Sequence, residues 1–189
     1  MPAKSVADLI ALAKTKPGGL NYGSSGTGAS NHLAAEMFRT MAQIDIVRVN
    51  YKGAGPALTA LIASELQLMF PSAGAATPHV RAGRVKALAV TSAAPSALFP
   101  GLPAIAATLP GYESLAIYGL FAPAGTPPAI IVRLNTVVAQ FLARADIQER
   151  FAAAGMDAAA STPGQLSASV QAEVARIGKV IRAAGIRGD

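Results

Sequence analysis

Residues 21–38 read NYGSSGTGASNHLAAEMF: Gly23, Gly26 and Gly28 interleave with the hydroxyls of Ser24, Ser25 and Thr27, just ahead of an apolar run. Residues of these types, so spaced, can present backbone N–H groups and hydroxyls to an anion. Three motifs that use this chemistry are nearly matched. Gly23 and Gly28 have the spacing of a phosphate-binding loop, but Ala29 stands where that loop carries its Lys. Gly26 and Gly28 begin a dinucleotide fingerprint, which Asn31 breaks at the third glycine. Gly23 and Ser25 begin a nucleophile elbow, which Thr27 breaks at the last glycine. What survives is the order strand, Gly/Ser loop, helix. It leaves free N–H groups and the positive end of a helix dipole at the loop. The alternative is a tight strand-to-helix turn that binds nothing.

Catalytic chemistry is poorly supplied. The chain has two histidines and no cysteine, which excludes disulfides, thiolate catalysis and Cys–zinc sites. His32 falls in the first turns of the helix after the loop, and His79 in a surface helix, too far apart for a His-cluster metal motif. For His32, orienting the loop and touching a ligand both stand open, and a structural role is favoured over either. Asp8, Glu65, Asp146, Glu149 and Glu173 read as helix-surface residues, and no carboxylate pair stands at a loop mouth. No Ser-x-x-Lys spacing supports Ser24 or Ser25 as a nucleophile. The reading is therefore non-catalytic, with no metal and no cofactor.

The 189 residues suit one domain or two small ones, and at 52% hydrophobic and 14% charged the chain is expected to fold. The net charge is +6, but Lys and Arg are scattered, Trp is absent and aromatics are 5%. Nucleic acid is not expected, since basic clusters and stacking platforms are missing. A basic protein that handles small acids fits better. No apolar run reaches the about 20 residues of a membrane span. Residues 1–19 read as a helix capped by Ser5 with Val6, Leu9, Ile10 and Ala13 inward, not as a signal peptide.

Those loops need elements to place them, and the pattern alternates. Strands are expected at 20–23, 44–49, 66–70, 85–90 and, longest, 114–122. Helices are expected at 29–42, after Pro56, at 74–82, briefly at 103–109, from Pro127 to about residue 143, around Ile147 and Phe151, and after Thr162. Repeated strand–helix units imply an open α/β sheet with helices on both faces. Ligands of such sheets sit beyond the carboxyl ends of the strands. The 23–29, 51–56 and 71–74 loops are expected to share that edge.

Longer stretches now carry a family likeness. LNYGSSGTGASNHLAAEMF, VNYKGAGPALTALIASELQLMF, HVRAGRVKALAVTS, LPGYES, YGLFAPAGTPPAIIVRLN, RFAAAGMDAAASTP and IGKVIRAAGI occur in order across the chain. Together they resemble the periplasmic solute receptors of tripartite tricarboxylate transporters, the Bug (Bordetella uptake gene) family. The resemblance implies a type II, Venus-flytrap periplasmic-binding-protein fold that captures a small carboxylate: a di- or tricarboxylate or an aromatic acid. It implies the transporter's membrane components as partners and a periplasmic location for the full-length receptor. Residues 1–114 match the complete second lobe, and 115–189 match the return strand and C-terminal helices of a partial first lobe. The chain thus resembles an N-terminally truncated receptor. The apolar faces of 115–189, with Leu134, Phe141, Val174 and Ile181, are expected to pack incompletely.

Carried over by position, Ser24, Ser25, Gly26, Thr27, Gly28 and Ala29 match a carboxylate cradle of backbone amides and hydroxyls. The family usually has Thr where Ala29 stands, and Thr27 is placed to compensate. Tyr51, Lys52 and Gly53 match the loop that lines the cleft opposite, Ser72 the next loop, and Tyr118 an aromatic near the hinge. Pro71 replaces an Asp that reads the distal part of the ligand in many members, so an amino-acid ligand is disfavoured. The runner-up is the effector domain of a LysR-type transcriptional regulator, which shares the flytrap architecture.

Overall fold

The computed structural model describes residues 1–186. The chain opens with α1 (Val6–Thr15), whose first turn is capped by Ser5 accepting from the Asp8 amide at 3.1 Å. Val6, Leu9 and Ala13 recur at helical spacing and are buried. Three strands follow, alternating with helices: β1 (Asn21–Ser24), α2 (Ser30–Ala42), β2 (Val47–Asn50), α3 (Ala54–Ile62), β3 (Leu68–Met69) and α4 (Ala73–Arg81). They form a parallel sheet in the order β2-β1-β3, with Tyr22 opposite Arg48 and Leu68, and Gly23 opposite Val49 and Met69. The fold is mixed α/β, as the alternation requires.

Period-two side-chain alternation divides β1 between two layers. Tyr22 faces α2 and joins the core of Leu9, Ala13, Ala35, Phe38, Ile46 and Tyr112. Gly23 faces α3 and the segment after it, where a Cβ would stand 3.4 Å from Ala57 Cβ and 2.6 Å from Leu66 Cδ1. Tyr112 closes the α2 side: its hydroxyl donates to the Ala34 carbonyl at 3.1 Å, and its ring meets Phe38 edge-on at 6.3 Å.

Two expected strands do not form ladders. In 85–90, only Val90 pairs, as an isolated bridge to Ala104. Its backbone bonds go to Pro103 and Ile105 (2.9 and 3.0 Å), while Leu88 and Ala89 pack against the core without a ladder. The expected helix at 103–109 is a single 3-10 turn, Ile105–Ala107. Residues 114–122 join no ladder among the described residues: the Ser114 amide donates to the Thr91 carbonyl at 2.8 Å, and Phe121 is 70% exposed. A strand is stable only against a neighbour's N–H and C=O groups, and the sheet of the described residues lies elsewhere.

The chain ends in α5 (Pro128–Leu142), α6 (Ala145–Ala153) and α7 (Pro163–Ala184). Thr162 and Gln165 form a reciprocal capping box at α7. Arg176 of α7 pairs with Glu173 and with Glu113, which ties the helix to the segment after Tyr112. Leu134, Phe141 and Val174 are exposed and Ile181 is half-buried, the loose packing expected of this region.

Candidate functional site

Because all three strands are parallel, the loops after β1, β2 and β3 leave by one edge, where α2, α3 and α4 begin. The N-cap positions are Ala29, Gly53 and Ser72, and none makes a side-chain cap bond. No acidic residue occupies a first turn of these helices. Among the described helices, side-chain caps are confined to α1 and α7. Three positive dipole ends with unclaimed N–H donors therefore face one edge.

The 25–29 loop is braced from beneath. Asn31, buried in the first turn of α2, accepts from the Ser25 amide (3.2 Å) and the Ser25 hydroxyl (3.1 Å) through Oδ1. His32 Nδ1 accepts from the Gly28 amide at 3.1 Å. The Ala29 amide closes a turn onto the Gly26 carbonyl at 3.3 Å. That leaves the Gly26 and Thr27 amides without a protein partner among the described residues. Gly28 has φ +75°, a left-handed conformation that a side chain would strain.

His32 must be neutral at Nδ1 to accept that bond. Burial lowers its pKa below the ordinary value, and the nearby Arg48 guanidinium lowers it further, while Glu36 opposes. His32 thus orients the loop through its bond to Gly28.

Arg48 went unnoticed in the sequence. Its Nε donates to Ser24 Oγ (2.8 Å), its Nη2 to Asn50 Oδ1 (3.0 Å), and its two Nη atoms reach Thr27 Oγ1 (3.3 and 3.2 Å). Ser24 Oγ in turn donates to Asn50 Oδ1 at 3.1 Å. The available signal was VRVN: two polar residues at i and i+2 in an apolar strand, hence on one face. Parallel pairing sets Arg48 beside Tyr22 and Asn50 beside Ser24.

The other candidates fall as follows. Ser24 is 0% exposed with its hydroxyl committed on both sides, so it stands behind the loop. Ser25, Gly26 and Ala29 are half-buried, whereas Thr27 and Gly28 are exposed. Tyr51 is tied to the loop by its amide, which donates to the Ser24 carbonyl at 2.9 Å. Lys52 is exposed beside Gly53, and Ser72 is exposed at the start of α4. Tyr118 is 77% exposed in the 114–122 segment, and no hydrogen bond joins it to the three loops. A pocket of about 360 Å³ opens beside the 25–29 loop, lined by Thr27, His32, Glu36, Arg39, Arg48 and residues 184–186.

This arrangement can hold an anion: amides and a hydroxyl in front, a guanidinium behind. Known proteins resemble this one at the level of the chain. Residues 1–186 match the family described as tripartite tricarboxylate transporter family receptor. A UPF0065 protein encoded in the tcbD-tcbE intergenic region of Pseudomonas sp. strain P51 is 34% identical over 94% of this chain and 54% of its own length. The Rhodopseudomonas palustris protein Rpa4515, solved with adipate, superposes with a TM-score of 0.90 at 38% identity, over 98% of this chain and 62% of that one. The periplasmic binding protein BugD gives 0.86 at 26% identity, over 100% and 64%. MatC of R. palustris, solved with bound malate, gives 0.80 at 29% identity, over 95% and 63%. The chain thus spans little more than half the length of the Pseudomonas relative and under two thirds of these solved chains.

Proposed function

The chain belongs to the tripartite tricarboxylate transporter receptor family, and from that premise we propose that it captures a small carboxylate outside the cytoplasm for such a transporter. The observation that carries the reading is the shared edge, where α2, α3 and α4 all begin without a side-chain cap or a first-turn carboxylate. Gly26, Thr27 and Gly28 form the cradle proper, with Ser24, Ser25 and Ala29 shaping it. Tyr51, Lys52, Gly53 and Ser72 line the neighbouring loops. Adipate and malate in two structural relatives support a diacid. The regulator reading is not favoured, because the matching family is one of receptors. Capture and release, without turnover, suits a site whose donors are fixed and whose histidine is committed to a backbone amide.

Residues 1–114 are assigned to one lobe of a flytrap receptor, and 115–189 to the remainder of the other. The 114–122 segment supports the division, being apolar and outside the sheet of the described residues. The membrane components of the transporter are the assigned partners and the periplasm the assigned location.

Isothermal titration of the chain with adipate, malate, citrate and benzoate, against neutral dimethyl adipate, tests the reading. The acids should bind and the diester should not. Equal heats from acids and diester would refute it.

A further inference from the structure

We propose that Arg48 sets the specificity of this site for ionised acids, acting through the hydroxyl of Thr27. The inference rests on the carboxylate reading above and names the residue that enforces it.

Among the described residues, Arg39, Arg144 and Arg176 face carboxylates: Arg39 on Glu36, Arg144 on Asp146, Arg176 on Glu173 and Glu113. Arg48 differs. Its partners are two hydroxyls and one amide oxygen, all neutral, and no carboxylate among the described residues lies within ion-pair distance. The nearby carboxylate, Glu36, is already claimed by the Tyr22 hydroxyl and by Arg39. A guanidinium cannot shed its proton. A half-buried, fixed positive charge therefore stands beneath the loop without a counter-ion among the described residues.

The hydrogen-bond directions then determine what each hydroxyl can do. Thr27 Oγ1 accepts from Arg48, so its lone pairs are occupied and its proton is free to be given away. Ser24 is oriented the same way, but its proton goes to Asn50 and it is buried. Thr27 is the exposed member. Arg48 thus makes Thr27 a donor, beside the two free amides of Gly26 and Thr27. An ionised carboxylate accepts from all three and neutralises the guanidinium behind them. A neutral ester or amide accepts more weakly and leaves the charge uncompensated. Arg48 is a positioning and charge-supplying residue, not one that must touch the ligand.

The test is an amide chemical-shift titration of the full 189-residue chain with adipate and with dimethyl adipate. Arg48→Gln, Arg48→Lys and Thr27→Val are compared with the parent chain. Gln retains hydrogen-bond donors without charge, and Lys restores the charge. Adipate should shift Gly26, Thr27 and Gly28. Arg48→Gln should weaken adipate by about tenfold, with Arg48→Lys recovering most of it and the diester binding to none of the variants. Thr27→Val, on an exposed loop, should lose about fivefold alone and much less once Arg48 is Gln, since the two act as a unit. Equal adipate affinity in Arg48→Gln, or a Thr27→Val loss undiminished in that background, overturns this inference and leaves the carboxylate site standing. Adipate shifts confined to residues remote from the loop, or none at all, overturn both. Should Arg48→Gln unfold, the Thr27→Val arm decides, and an unchanged adipate affinity there overturns the proposal.

Discussion

The Tyr22 hydroxyl donates to Glu36 Oε1 at 2.5 Å, joining the middle of β1 to the middle of α2 across the core. Glu36 Oε2 accepts from Arg39 Nε at 2.8 Å, so the carboxylate, 6% exposed, is paired on both oxygens. Burial and this carboxylate push the Tyr22 phenol pKa far above its ordinary value, which keeps it a donor. The bond spans both ends of the 25–29 loop, and so holds the strand and helix at the separation the loop must bridge. Tyr22→Phe preserves the ring and removes the donor. It should cost about 1.5–3 kcal/mol, the range for a hydrogen bond to a charged group. Urea unfolding at neutral pH, with an unchanged m-value, measures it. A loss no larger than that of an exposed Tyr→Phe change would show the bond is not maintained in solution.

His32 gives the fold a pH dependence of definite sign. Its folded pKa lies below the ordinary 6.5, so within that interval the unfolded chain binds more protons. The contribution is complete above 6.5 and is lost as pH falls through the interval, where protonation also breaks the Gly28 bond. The stability difference between the parent chain and His32→Gln should therefore shrink on acidification from about pH 7.5 to pH 5. Urea midpoints across that range decide it. A difference that stays constant, or grows, would mean the ring does not accept from Gly28.

Gly23 is fixed by packing rather than by backbone conformation. Gly23→Ala would bring a Cβ to 2.6 Å from Leu66 Cδ1 and to 3.4 Å from Ala57 Cβ. Overpacking of this kind costs about 1–3 kcal/mol. Trimming Leu66 to Val in the same chain should recover part of the loss, because the clash is with a side-chain terminus. Thermal unfolding of the single and double variants checks this, and failure of Leu66→Val to recover any stability would place the strain in the backbone instead.

The elements whose burial follows from local period were legible in the sequence. Val6, Leu9 and Ala13 announce α1, and the alternation with Gly/Pro loops announces three strands feeding one edge. What the sequence hid depends on partners. Residues 114–122 have the composition of a strand, yet a ladder needs a neighbour and none is adjacent in the described sheet. Val90 reads as buried strand, but its backbone is satisfied by the 103–105 turn. At the site, the glycine loop was visible because its residue types are local. Arg48 was not, because its meaning comes from cross-strand register with Tyr22 and from the reach to Thr27.

The apolar side chains of 115–141 should govern solution behaviour. Leu120, Phe121, Ile130, Val132 and Val137 are all exposed. Such a surface drives association. The chain should show a concentration-dependent mass by light scattering, and Leu120→Ser with Phe121→Ser should reduce it without lowering the unfolding temperature. A monomer at every concentration would mean this face is covered by a rearrangement within the chain.

Affinity follows from how many donors the site commits and how well water is excluded. The Gly26 and Thr27 amides and the Thr27 hydroxyl lie at an open edge, where water competes for each bond. Each then nets about 0.5–1.5 kcal/mol, somewhat more to a carboxylate. Three such bonds, less the entropy of association, correspond to roughly millimolar affinity. A flytrap that closes a second lobe over the ligand removes that competition and adds donors. Fusing the chain to the part of the adipate-bound R. palustris protein that it does not cover should therefore bring adipate to micromolar or tighter, on the order of a thousandfold gain. In that longer protein Ser25→Ala with Thr27→Ala should cost about 1–3 kcal/mol, because both changes strip the loop of hydroxyls while Asn31 keeps its amide bond to residue 25. Calorimetric titration of both proteins is the measurement. Micromolar adipate binding by the 189-residue chain alone would show that one lobe already encloses the ligand, and that the open cradle described here is not where it sits.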